Sequence, residues 1–268
     1  MRLVLEEEGV DYISRHLDIH GTMDQLEPWY LAVNPAGVVP TLLFRGNAVA
    51  ESKDISLFAI DEVRFCQNTC LIYLCVCVQV SKVRKLLPNE IREEVLKLVE
   101  LHYEDAPVET LTMGTMASSN KMMGVIGSRK LKGAIQRLEK MKTDQPNLEE
   151  VIEGKIRQKE EQQKTFSNPQ RAKDEAFGKV ITVLDHLEEK LKEGDFLCGG
   201  SYTLADAVFT CLLARLSMIK MLKQELRSRQ KLASWWGRMA SRPSFQKAGV
   251  ISSPITPRVI IKKFCSIL

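Results

Sequence analysis

The stretch Asn34-Pro35-Ala36-Gly37-Val38-Val39-Pro40-Thr41-Leu42, followed by Glu51-Ser52-Lys53-Asp54-Ile55, constrains this chain more than any other part of it. A proline at 40 opens an apolar strand, and X-Pro is the only common peptide link whose cis form is cheap, so Val39-Pro40 is a candidate cis bond. Such a bond turns the main chain so that Val39 offers its N–H and C=O to a ligand. Arg45-Gly46-Asn47, set between Leu42-Leu43-Phe44 and Ala48-Val49-Ala50, predicts a tight reversal joining two antiparallel strands. The second strand ends at Glu51-Ser52, where a helix starts. Orphan N–H groups and the positive end of the helix dipole attract a carboxylate there, and Ser52 supplies a hydroxyl beside them. Taken singly, Ser52 reads equally well as a helix cap and Glu51 as a solvated acid. Together with the proline strand they predict a surface for the backbone and carboxylate of a small peptide.

These residues resemble the glutathione transferase superfamily, whose thioredoxin-like half carries an N-P-x-G-x-V-P element and then E-S or E-T before an isoleucine-bearing helix. Asn34, Pro35, Gly37, Val39, Pro40, Glu51, Ser52 and Ile55 carry the match. The resemblance implies that Val39, held by Pro40, pairs with the backbone of glutathione, and that Glu51 and Ser52 hold its γ-glutamyl end. It also implies glutathione as co-substrate, a small hydrophobic electrophile as its acceptor, and a homodimer. A second match lies in Phe196-Leu197-Cys198-Gly199-Gly200-Ser201-Tyr202-Thr203-Leu204-Ala205-Asp206, where Thr203 and Asp206 have the spacing of a reciprocal N-cap. In the family this is a buried folding element, so Asp206 is not assigned to the site.

Leu213-Ala214-Arg215-Leu216-Ser217, Lys231 to Trp236 and Arg242-Pro243-Ser244-Phe245 are similar to the tetrachlorohydroquinone dehalogenase-like transferases of plants and to the ganglioside-induced differentiation-associated proteins. Both branches carry a charged helical insertion in the second domain, introduced by a phrase similar to Gln145-Pro146-Asn147-Leu148-Glu149-Glu150. The fold so implied is an α/β thioredoxin-like domain over 1–62, lacking its first strand, then an all-α transferase C-terminal domain over 89–250 with the insertion near 145–168. Residues 63–88 read as an anomalous insert and linker, and 251–268 as a tail.

A chain of 268 residues with 44% hydrophobic content suffices for two modest domains. Its 38 basic and 34 acidic residues are interleaved, so no nucleic-acid footprint is expected. His16, His20, His102 and His186 stand far apart and outside metal-binding spacings, so no metal site is expected. Of the seven cysteines four crowd between Cys66 and Cys77, with no secretory signal ahead, which points to a reducing compartment and a cytoplasmic location.

Residues 1–9 predict a helix closed by Gly9, and Tyr12 to Leu17 alternate as a strand does. In the family a strand precedes this helix, with the catalytic Ser, Cys or Tyr on the loop between them, and the chain is expected to start after that loop. The catalytic residue therefore stays unassigned. A glutathione thiol, with an intrinsic pKa well above neutrality, needs a donor within hydrogen-bond reach to ionise. Ser14 and Tyr12 are weak substitutes, Tyr12 being expected to pack in place. Residues 63–79 hold no acid, one base, four cysteines and an apolar run from Leu71 to Val78. The run is too short to span a bilayer and has no metal-ligand spacing, and the segment reads as a translated intron.

From Asn89 on the periodicity is helical: Ile91, Val95, Leu98, Val99 and Leu101, then Val180, Ile181, Leu184, Leu187 and Leu191. Glu149 to Lys164 offers only Val151, Ile152 and Ile156 for burial and reads as solvated helix surface, ended by Asn168-Pro169. A cleft for a hydrophobic co-substrate is expected to have its wall among Met113, Met116, Met122 and Met123. Cys265-Ser266-Ile267-Leu268 fits a prenylation box, with Lys262 and Lys263 upstream as the basic partner for membrane attachment. Two functions follow. One is a glutathione transferase-like enzyme that conjugates glutathione to, or dehalogenates, small electrophiles; the other is a non-catalytic adaptor with a vestigial pocket, attached to membranes through Cys265.

Overall fold

The first helix, α1 (Arg2–Glu8), buries Leu3, Val4 and Leu5 and closes on Gly9 in the left-handed conformation, as the sequence predicts. The structure, a computed structural model, describes residues 1–19, 21–61, 79–80 and 86–251. The insert expected over 63–79 lies outside the described residues except for Gln79, as do His20, Lys262, Lys263 and Cys265. After α1 comes β1 (Val10–Asp11), paired antiparallel with β4 (Gln79–Val80), Val10 opposite Val80. The strand expected at Tyr12–Leu17 is thus displaced to Val10–Asp11. Alternation alone makes no strand without a partner backbone, and among the described residues Tyr12–Leu17 has none; Ile13 stands 64% exposed.

A single 3-10 turn at Asp24–Leu26 leads into α2 (Pro28–Val33), with Pro28 in the first turn, where its missing N–H costs nothing. Then β2 (Thr41–Phe44) and β3 (Asn47–Ala50) form the predicted hairpin, in the register Thr41 to Ala50 and Phe44 to Asn47. Its two loop residues, Arg45 and Gly46, both have positive φ, the geometry whose twist matches the flanking strands. Helix α3 (Ser52–Asp61) follows directly and packs Ile55 on Leu42, both fully buried.

Among the described residues, the long elements of the second half are all helices. Helices α4 (Arg92–Asp105) and α5 (Val108–Ser119) meet at Ala106-Pro107, where Pro107 precedes the first residue of α5. Next come α6 (Lys121–Asp144), α7 (Glu149–Ser167), α8 (Pro169–Lys190), α9 (Leu204–Met218), α10 (Leu222–Glu225), α11 (Gln230–Ala240) and α12 (Pro243–Lys247). The Asn168-Pro169 boundary falls as predicted, with the Asn168 side chain accepting from the N–H of Arg171 to cap α8. Val95, Leu98, Val99, Val180, Leu184, Leu187 and Leu191 all lie in the main core, around Phe209 and Trp235. Asp206 is buried and takes four donors: Thr203 N and Oγ1 at 2.9 Å each, Leu197 N at 3.1 Å and Trp235 Nε1 at 2.8 Å. Its place is structural, as the capping-box reading requires. Among the described residues no helix is long and apolar enough to cross a membrane.

A second, smaller core joins the two halves: Leu26 and Leu31 pack with Ala134, Leu138, Met141 and Ile152 of α6 and α7. The expectation of a solvated α7 is corrected here. Arg157, Gln158, Glu160 and Glu161 are exposed, but Lys155 is only 5% exposed, on the inward stripe with Ile152 and Ile156. A run rich in Glu and Lys still forms an amphipathic helix, and a lysine falling on its inner face goes inward with it. Arg242 grips the buried Glu7 of α1 through two hydrogen bonds of 2.8 and 2.6 Å, with Ser244 as a third donor. Arg92 holds Asp61 in the same two-pronged way.

Candidate functional site

The segment between α2 and β2 is braced from inside. Asn34, 1% exposed, donates through Nδ2 to Val38 O and to Thr41 Oγ1, each at 2.8 Å, and accepts from Ala36 N at 3.0 Å. The Tyr30 hydroxyl lies 2.6 Å from Val38 O and 2.7 Å from Thr41 Oγ1. Val38 therefore turns its carbonyl inward to two side chains, while Val39 faces out at 39% exposure. The Val39–Pro40 peptide bond is cis, as expected from the sequence. Among the described residues, no hydrogen bond engages the N–H or C=O of Val39. The result is a short, open length of peptide edge on a rigid support. Asn34 and Tyr30 were not singled out as site residues from sequence, although Asn34 belongs to the motif that carries the resemblance.

The hairpin register sets Ala50, the residue before Glu51, opposite Thr41, the residue after Pro40. Glu51 is exposed and holds φ at 66°, an uncommon conformation for a residue with a Cβ, costing on the order of 1 kcal/mol. Its carbonyl accepts the N–H of Ile55 at 2.9 Å, closing the first turn of α3. Ser52 opens that helix, half-buried, with its hydroxyl 2.9 Å from the Tyr103 hydroxyl of α4. Burial raises the Tyr103 phenol, the bond to Ser52 opposing it. Thus the helical half reaches the site through a residue that sequence reading missed. The four predicted residues, Val39, Pro40, Glu51 and Ser52, fall in one neighbourhood because the hairpin folds one pair against the other.

A further side chain arrives from α7. The Cε of Lys155 lies beside Gly37, whose φ is +55°: a Cβ placed there would stand 3.1 Å from that carbon, 2.9 Å from Leu31 and 3.2 Å from the Gln25 carbonyl oxygen. Lys155 Nζ donates to Gln158 Oε1. Burial pulls its ammonium down to about 8, with Lys159 adding to the fall and Glu51 and Glu109 opposing it. Nothing in the residue spacing pairs Lys155 with Gly37, since their approach depends on how the insertion folds back.

The substitutes considered for thiol activation fare poorly. Tyr12 donates to Glu6 Oε1 at 3.1 Å, and its phenol is pushed up to about 12 by burial first and then by Glu6. Ser14 is exposed in an irregular segment. Of the methionines expected along a cleft wall, Met113 is half-buried, whereas Met116, Met122 and Met123 are exposed where α5 gives way to α6.

Two family models match the chain: "Glutathione S-transferase, N-terminal domain" over residues 1–62 and "Glutathione S-transferase, C-terminal domain" over 138–243. The chain is 26% identical over 251 residues to glutathione S-transferase TCHQD of Arabidopsis thaliana, covering 92% of this chain and 83% of that protein. It is 26% identical over 253 residues to the tetrachloro-p-hydroquinone reductive dehalogenase of Sphingobium chlorophenolicum, covering 93% and 90%. Among solved structures, the β-etherase LigF of a Sphingobium species superposes with a TM-score of 0.63 at 21% identity, covering 92% of this chain and 91% of that one. Glutathione transferase F7 of Populus trichocarpa gives 0.62 at 19% identity, covering 92% and 89%. With both domain models matched in order and the fold shared along most of its length, the chain belongs to the glutathione transferase superfamily, with the plant TCHQD type among its relatives.

Proposed function

We propose that this chain binds glutathione along the Val39 edge and transfers its sulfur to a small hydrophobic electrophile. The observation that carries this reading is the open N–H and C=O of Val39, supported from beneath by Asn34 and Tyr30 and flanked by the Glu51–Ser52 helix start. A tripeptide lying on that edge pairs main chain to main chain, as an added strand does. Its γ-glutamyl carboxylate meets the unpaired N–H groups at the start of α3 and the Ser52 hydroxyl, and its amino group meets the Glu51 carboxylate. In the transfer step the thiolate forms an S–C bond as the electrophile's leaving group departs, a halide in the dehalogenating case. The family relationship supports this chemistry. The same family likeness underlies a proposed homodimer, and the cytoplasmic setting is proposed from the cysteine usage of the chain. The group that takes the thiol proton is unassigned, and Tyr12 is a poor fit for it.

Retention on immobilised glutathione tests the binding step. Wild-type protein is expected to be held and eluted by free glutathione. Glu51→Ala, which removes a charge-assisted hydrogen bond, is expected to bind on the order of tenfold more weakly. No retention of either protein refutes the reading and leaves the non-catalytic adaptor, for which attachment through Cys265 is the matching proposal.

A further inference from the structure

Helix α7 is not a bystander to the peptide site. Its Ile152 shares a core with Leu26 and Leu31, which flank the start of α2, so the helix is fixed over the segment that leads into the Val39 edge. That contact delivers Lys155, 5% exposed, to Gly37, two residues before Val39. The space is shaped for it: Gly37 has a positive φ and no room for a Cβ between Leu31, Lys155 and Gln25. Among the described residues no acid lies within ion-pair reach of Lys155, and its acceptor is the neutral Gln158 oxygen. An ammonium has three donors, and a buried charge is normally paired with an opposite one. Beside it Gln25, 8% exposed, has a buried side-chain oxygen without a partner. One turn on, the half-buried Lys159 bonds Gln162 at 3.0 Å and adds a second positive charge. The acids whose charge reaches Lys155 are Glu51, ahead of α3, and Glu109 of α5, the latter bonded by Gln162 at 2.9 Å.

The hairpin register adds direction. Glu51 follows Ala50, which pairs with Thr41, whereas Lys155 reaches Gly37, so along the chain the acid lies toward one end of the Val39 edge and the lysine toward the other. A tripeptide whose amino end sits at Glu51–Ser52 and whose middle pairs with Val39 directs its carboxyl terminus toward Gly37. We infer that Lys155, lent by the inserted helix α7, binds that carboxylate, so that the insertion completes the peptide site. This rests on the glutathione reading above.

The test compares S-methylglutathione with its glycyl ethyl ester by titration calorimetry on the full chain, for wild type and Lys155→Met. Blocking the sulfur keeps thiol ionisation out of the comparison, and the ester removes only the charge at the carboxyl end. Wild type is expected to prefer the acid by about tenfold or more, the usual scale of a charge-assisted contact. Lys155→Met is expected to lose that preference while holding the ester to within about twofold. With wild type alone, the preference is expected to shrink as pH rises past about 8, where the free ammonium gives up its proton. Equal affinity of wild type for acid and ester overturns the inference and leaves the glutathione reading standing. An acid preference that survives Lys155→Met, or that does not change with pH, overturns it too. Binding of neither ligand by wild type removes the glutathione reading and this inference together.

Discussion

At the scale of single residues, the Val39 edge depends on a buried side chain that faces away from it. Asn34 satisfies Val38, Thr41 and Ala36 at once from a fully buried position, so it fixes the loop that presents Val39. Asn34→Ala leaves the Ala36 N–H without that partner and removes one of two donors from Val38 O. The expected loss is about 1–3 kcal/mol in unfolding free energy, the cost of stripping partners from buried polar groups. Urea unfolding of both proteins measures it, and a change within a few tenths of a kcal/mol contradicts the bracing role. The grouping of Val39, Pro40, Glu51 and Ser52 was legible from local signatures: an X-Pro bond, a helix start, and a hairpin that sets their spacing. Tyr103 and Lys155 were not legible. Their partners stand far away in the chain, and a tyrosine or lysine on a helix has the same local pattern whether it faces solvent or a pocket.

At the scale of elements, the helices and the hairpin were readable from periodicity and turn chemistry, and the errors share one cause. Tyr12 to Leu17 has the alternation of a strand but pairs with no described residue, while Val10–Asp11, too short to show a pattern, has a partner in Gln79–Val80. Helix α7 shows the converse: its composition reads as surface, yet tertiary packing buries one stripe, Lys155 included. That burial makes a pH prediction. The folded-state pKa of Lys155 lies below its unfolded value of 10.5, at about 8. Below about 8 both states are protonated and the burial penalty on the charge is full. Between there and the unfolded value the unfolded chain binds the extra proton, so stability rises with pH. Wild type is therefore expected to gain stability relative to Lys155→Met on going from about pH 8 to 10, by up to a few kcal/mol. Parallel urea midpoints for the two proteins across that range contradict a buried, charge-bearing Lys155.

At the scale of the whole molecule, the two halves meet at the site as well as behind it. Behind it, Arg242 holds Glu7 and Arg92 holds Asp61, fixing α1 to α12 and α3 to α4. At the site, Tyr103 bonds Ser52, and Lys155 lies over Gly37. A peptide bound at Val39 is then enclosed by side chains from both halves, although the edge itself belongs to the first. The overall architecture, a small α/β half followed by a helical half, was implied by the family resemblance, and the helical periodicity from Asn89 on agrees with it. Where the inserted helix would rest was not, because that is decided by Leu26, Leu31 and Ile152 meeting in space. A crystal structure of the full chain with S-methylglutathione tests the central claim most directly. The account predicts the ligand's main chain paired with the N–H and C=O of Val39, and its γ-glutamyl end at Glu51 and Ser52. A ligand seated elsewhere, with Val39 left unpaired, contradicts it.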